Sequence, residues 1–75
     1  MDILAKANET DVEGQGELQE GFLVASIKNI GNRNAIVNGV ILDPGEAKGY
    51  PFVGKGYRKI TYNSQGSTLR IMQIL

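Results

Sequence analysis

Residues 49–55, Gly49-Tyr50-Pro51-Phe52-Val53-Gly54-Lys55, carry the Gly-x-x-x-x-Gly-Lys spacing with which a loop wraps backbone amides around a phosphate. The next residue is Gly56, where magnesium would need a Ser or Thr hydroxyl, and no helical periodicity follows. The stretch reads instead as a strand between two turns. Asp11, Glu13, Gln15 and Gly16 reproduce the opening of a calcium loop, but Phe22 occupies the twelfth position, where a bidentate Glu belongs. Ser26, Ser64 and Ser67 have no His to activate them, and the absence of both His and Cys removes the usual zinc ligands and the thiol nucleophile. A carboxylate pair would have to come mostly from residues 1–20, a poor frame for rigid positioning. The expectation is a chain that is not an enzyme and uses no cofactor or metal.

Two binding chemistries remain. Lys55, Tyr57, Arg58, Lys59 and Tyr62 bring bases and aromatic rings together, the combination with which small β-barrels hold single-stranded nucleic acid. Arg70 is the sole further base in the last strand, and the acidic N-terminus competes for the same surface, so nucleic acid is the lesser alternative. The plainer reading of Tyr57 and Tyr62 is packing at the edge of the core with the hydroxyls in water. Tyr50, Phe52 and Tyr57 offer the second, a carbohydrate- or ligand-binding face.

The elements that must position these residues read as strands. Phe22–Ile30 alternates, with Leu23, Ala25 and Ile27 on one face and Ser26 and Lys28 on the other. Asn38-Gly39 sits between two apolar triplets and predicts a two-residue hairpin that pairs Val37 with Val40, Ile36 with Ile41 and Ala35 with Leu42. Asp43-Pro44-Gly45-Glu46 has the Pro and Gly placement of a type II turn. Ala47–Val53, Tyr57–Tyr62 and Thr68–Leu75 are further strands, with Pro51 marking an edge. In the last of these, Met72 and Ile74 share one face, and Ile71 and Leu75 the other. Turns recurring at roughly 8–12-residue intervals predict an all-β fold, a small β-sandwich or partly open barrel. A short helix over Asp2–Ala7 is the only helical signal.

Charge divides the chain. Residues 1–20 hold six carboxylates and one lysine, a net of −5; residues 21–75 hold seven bases and two carboxylates, a net of +5. The expected organisation is therefore an acidic, extended N-terminal arm at 1–21 and a β-domain at 22–75, the arm of one copy lying on the body of a neighbour or partner. A single small domain without disulfide or metal buries a modest core, which leaves oligomerisation as its support. No apolar run approaches the roughly 20 residues of a membrane span, and no signal-peptide pattern opens the chain, so a cytoplasmic origin without a membrane partner is expected.

Lys28-Asn29-Ile30-Gly31, Ala35–Val40, Leu42–Glu46, Tyr57–Tyr62 and Thr68–Ile71 together resemble the small β-domains of structural proteins in tailed phages, especially phages of Bacteroidetes hosts. The resemblance covers about two-thirds of the chain and leaves the acidic segment outside it. It implies a virion component, in capsid decoration, head fibres or tails, with protein subunits (its own copies, capsid or tail proteins) as partners. It brings no catalytic or ligand-binding residue. The contacts expected for such an assembly are Ile3, Leu4 and Val12 on the arm, Ile36 and Ile41 on the hairpin, and Met72 and Ile74 on the last strand.

Overall fold

The computed structural model describes residues 4–75. It is all β: eight strands in two four-stranded antiparallel sheets packed face to face, as expected from the alternation and turn spacing. In chain order they are β1 (Ala7–Val12), β2 (Gln15–Leu18), β3 (Val24–Asn29), β4 (Ala35–Val37), β5 (Val40–Leu42), β6 (Ala47–Tyr50), β7 (Ile60–Asn63) and β8 (Leu69–Ile74). The first sheet has the order β1-β8-β3-β6 and the second β2-β7-β4-β5.

The pairing follows one rule. β4 pairs with β5, β3 with β6, β2 with β7 and β1 with β8, so the chain is a single long hairpin rolled into two layers. Two further pairings, β3 with β8 and β4 with β7, close the roll. This is the eight-strand jelly-roll connectivity. Its innermost turn is Asn38-Gly39, at the middle of the 75 residues. Both residues have positive φ (52° and 77°), as a type I′ turn demands, and the three predicted pairs across it are present. The Asp43–Glu46 turn also forms as predicted, with Gly45 at φ 85° and the Glu46 amide donating to the Asp43 carbonyl at 3.0 Å.

The segment expected as an arm belongs largely to the sandwich. Residues 7–18 supply β1 to one sheet and β2 to the other, and Leu18 is buried in the core. The boundary expected at 21/22 therefore does not separate an arm from a body; among the described residues before β1, 4–6 are not strand. Ala7 is strand, and the rest of the helix considered at Asp2–Ala7 is not helical where it is described; Asp2 and Ile3 lie outside the described residues. The segment is strand despite its polarity because both strands are sheet edges whose outer faces are wet.

The core lies between the layers. Ala25, Ile27, Leu69 and Ile71 project from the first sheet, and Leu18, Ala35, Val37, Leu42 and Ile60 from the second. Phe22, in the β2–β3 connection, is fully buried and plugs the end that holds the Asn38-Gly39 turn. There its ring stacks on Tyr57 (centroids 5.0 Å apart, planes 5° apart) and meets Tyr50 edge-on at 6.4 Å.

The opposite end is tied by a polar hub. Asn29 is fully buried; its Nδ2 donates to the carbonyls of Arg33 (2.7 Å) and Leu42 (2.9 Å), and its Oδ1 accepts from the Gly31 amide (3.1 Å) and the Ser67 hydroxyl (2.6 Å). Gly31 is required beside it, since a Cβ there would collide with Ser67 and with the Thr68 backbone nitrogen. Ser64, also buried, accepts from the Gly14 amide at 2.7 Å and pins the β1–β2 turn to the same end.

Two predictions follow from this architecture. Deleting residues 1–18 removes two paired strands and a core side chain, so the remainder should lose its cooperative unfolding transition in urea, where an independent body would keep it. Asn29→Ala strands buried donors and acceptors and should cost about 3–4 kcal/mol in the same measurement, with Asn29→Asp, which replaces the Nδ2 donor with an acceptor, costing at least as much.

Candidate protein-binding surfaces

The register decides which side chains leave the sandwich. On the outer face of the first sheet, three rows cross β1, β8 and β3: Asp11–Arg70–Lys28, Glu9–Met72–Ser26 and Ala7–Ile74–Val24. The first row is charged. Arg70 donates to both carboxylate oxygens of Asp11, at 2.9 and 3.2 Å, which offsets the repulsion between Arg70 and Lys28 directly opposite. That hydrogen bond is the main reason the Asp11 carboxyl is held below its ordinary range and the Arg70 guanidinium above its own. The third row is apolar. Over the first two rows lies an open depression of about 700 Å³, lined in part by Glu9, Ser26, Lys28, Arg70 and Met72. Met72 and Ile74, expected as contacts, are half-buried on this outer face, while Ile71, on the opposite face as expected, turns into the core.

The second sheet has one row of the same kind, Gln15–Asn63–Ile36–Ile41. Ile36 is half-buried and Ile41, on the edge strand β5, is 62% exposed. The hairpin is apolar on both faces: Ala35, Val37 and Leu42 fill the core, and Ile36 and Ile41 face outward.

The arm residues divide. Leu4 is exposed, Val12 packs half-buried against the core of its own chain, and Ile3 lies outside the described residues. Val12 is thus an intramolecular contact and not a free docking group. The charge asymmetry is likewise used within the chain: besides Asp11 with Arg70, Glu17 sits 3.7 Å from Lys59, and Glu13 accepts from the Thr68 hydroxyl at 3.3 Å. The complementarity expected between copies is therefore satisfied in part by the acidic segment lying on its own body.

Lys55, Arg58 and Lys59 are exposed, but the aromatic rings between them are not a platform for bases. Tyr57 has one face covered by Phe22 and donates its hydroxyl to the Pro51 carbonyl at 2.6 Å. Tyr62 packs on the core against Gly16, where a Cβ would strike its hydroxyl at 2.5 Å. The plainer reading of both tyrosines, packing at the core edge, fits these positions, and the stacking element of the nucleic-acid alternative is not presented. Tyr50 joins the Phe22–Tyr57 cluster, leaving Phe52 alone as an exposed ring of the carbohydrate-type trio. Burial pushes the Tyr50 phenol above its ordinary range; the Asn38 side chain opposes this without reaching hydrogen-bond geometry, so the hydroxyl is buried and unpaired.

Neither near-match loop is built as a site. Gly49 and Tyr50 end β6, Gly54 is a positive-φ turn, and no helix follows Lys55. Asp11 and Glu13 flank the β1–β2 turn with the partners already described, and no group of potential metal ligands gathers among the described residues. The feature sequence reasoning missed is the Phe52–Val53 loop, both residues well exposed between β6 and β7. Its signal was Pro51 ahead of it and Gly54 and Gly56 behind, which end the strand before these apolar residues can face the core.

Comparison with known proteins finds no matching family, no similar curated protein and no similar solved structure.

The Asp11–Arg70 pair gives a pH test. Because the folded pKa of Asp11 is depressed, its contribution is present above the unfolded value of 3.8 and is lost as pH falls through the folded value. The gap in urea midpoint between the parent and Asp11→Asn should be constant above about pH 5 and close on further acidification; it should also narrow at high salt, since the pair is exposed.

Proposed function

We propose that this chain is a non-enzymatic structural or assembly protein that binds other protein subunits, and that the assembly is a tailed-phage virion, with the chain in a capsid-decoration, head-fibre or tail-associated position. The observation that carries the first part is the set of apolar side chains turned outward by both sheets: Ile36 and Ile41 on one, Met72 and Ile74 on the other. A core of ten buried apolar side chains leaves such a domain little stability to spare, and contacts that bury these rows would add to it. The virion assignment is supported by the resemblance of the strand and turn pattern and by the jelly-roll connectivity, an architecture used by viral capsid and lectin domains. Residues 7–18 serve the fold of their own chain, so in this reading Leu4 and the two outer faces make the contacts.

The experiment is incorporation. Parent protein should co-purify with large particles from its source, and Ile41→Lys or Met72→Lys, which leave the inward rows untouched, should lower its occupancy there without unfolding it. A parent found only as free 8.1 kDa protein would overturn the reading.

A further inference from the structure

Large apolar side chains that remain exposed gather at one end of the sandwich. β1, β3, β6 and β8 place residues 4–6, 23, 51–53 and 75 beyond the same end of the first sheet, and β4–β5 places its turn there too. Leu4 (85% exposed), Val40 (52%), Phe52 (62%), Val53 (57%) and Leu75 (47%) therefore share the Asn38-Gly39 end, and Ile41 follows Val40 along β5. Among the described residues only Ile30 is comparably placed at the other end. Charge follows the same axis. Exposed Lys6, Lys55 and Arg58 belong to the segments at the apolar end, against Glu20, while Lys59 and Glu17 there pair with each other. The far end carries Asp11, Glu13, Asp43 and Glu46 against Lys28, Arg33 and Arg70, the last paired with Asp11.

The apolar tip is held in place. Tyr57 exchanges backbone hydrogen bonds with Gly21 and Phe22 (2.7 and 2.9 Å), stacks on Phe22 and closes the loop through its hydroxyl to Pro51. Gly56 packs directly on Gly21, where a Cβ would meet the backbone at 2.9 Å. Phe52 and Val53 are thus projected from a braced base, and docking them costs little ordering entropy.

We infer that this end docks on an anionic lipid surface, Phe52 and Val53 entering the boundary between headgroups and acyl chains while Lys6, Lys55 and Arg58 meet the phosphates. The match is one of charge and shape. Apolar groups inside a basic collar suit an anionic interface, and the acidic far end would be turned away from it. The apolar residues come from four separate segments, the approach to β1, the β4–β5 hairpin, the β6–β7 loop and the end of β8, which a fluid plane accommodates without a preformed socket. Such peripheral contact needs no spanning segment, and no helix among the described residues is long and apolar enough to cross a membrane. Phe52 and Val53, which carry the inference, are not among the subunit contacts proposed above; Leu4 and Ile41 border both surfaces.

The chain has no Trp, so Phe52→Trp places a single reporter at the tip. With phosphatidylglycerol vesicles its emission should shift to the blue and be quenched by brominated acyl chains; with phosphatidylcholine alone the shift should be largely absent. In co-sedimentation, Phe52→Ser combined with Val53→Ser should weaken binding about tenfold or more, and Lys55→Glu combined with Arg58→Glu should do the same, while Ile30→Ser binds like the parent. Circular dichroism checks that each variant is folded. No blue shift on anionic vesicles, or undiminished binding by either double variant, overturns the inference. So does loss of a protein contact in the Ser variant when the parent itself ignores vesicles, because the tip would then be a subunit contact.

Discussion

Everything in this fold hangs on the two halves of the chain meeting. The first strand pairs with the last, the second with the second-last, and so inward to a turn at the middle of the sequence. Nearly every stabilising pair is therefore distant in sequence, and the entropy of closing each loop is recovered only when the next pair inward has formed. Asn38-Gly39 starts the process with the least loop to close, and its two positive-φ residues set the register of everything outside it. A slip of one residue there would exchange Val37 for Ile36 and turn the core face outward.

The roll is then fastened differently at its two ends. At one, Phe22, Tyr50 and Tyr57 fill the opening between the sheets with stacked and edge-on rings. At the other, three loops meet on one asparagine side chain whose donors and acceptors are all satisfied. The polar hub fixes geometry, because a buried amide tolerates few arrangements. The aromatic plug tolerates exposure beside it, and there the apolar loop emerges. The division of labour leaves one end closed and acidic, the other basic and greasy.

The charge asymmetry of the sequence finds a local use. Acidic β1 and β2 lie against basic β8 and the residues leading into β7, so much of the contrast between the first 20 residues and the rest is spent on holding edge strands in place. Carboxylates on β1 and β2 also discourage those edges from pairing with like strands of another copy. The apolar side chains left outside the core are the isoleucines of the second sheet, Met72 and Ile74 on the first, and the Phe52–Val53 tip.

The sequence alone determined what short-range chemistry can specify. Turn residues fixed the hairpin and its three pairs, the Pro-Gly turn after it, and the strand alternation that sends Ile27 and Ile71 inward and Ser26 and Met72 outward. It also limited the chemistry available, since no amount of folding supplies a His or a Cys. Tertiary structure decided the rest. Ala7–Val12 reads as a polar tail because only one of its faces packs, and that weakly; it becomes a strand through β8, 57 or more residues further along the chain. Tyr57 reads either as core-edge packing or as a ring facing a ligand until Phe22 covers one face. Whether an edge strand forms, and whether an aromatic is core or surface, depends on a partner distant in sequence, and no local pattern encodes that meeting.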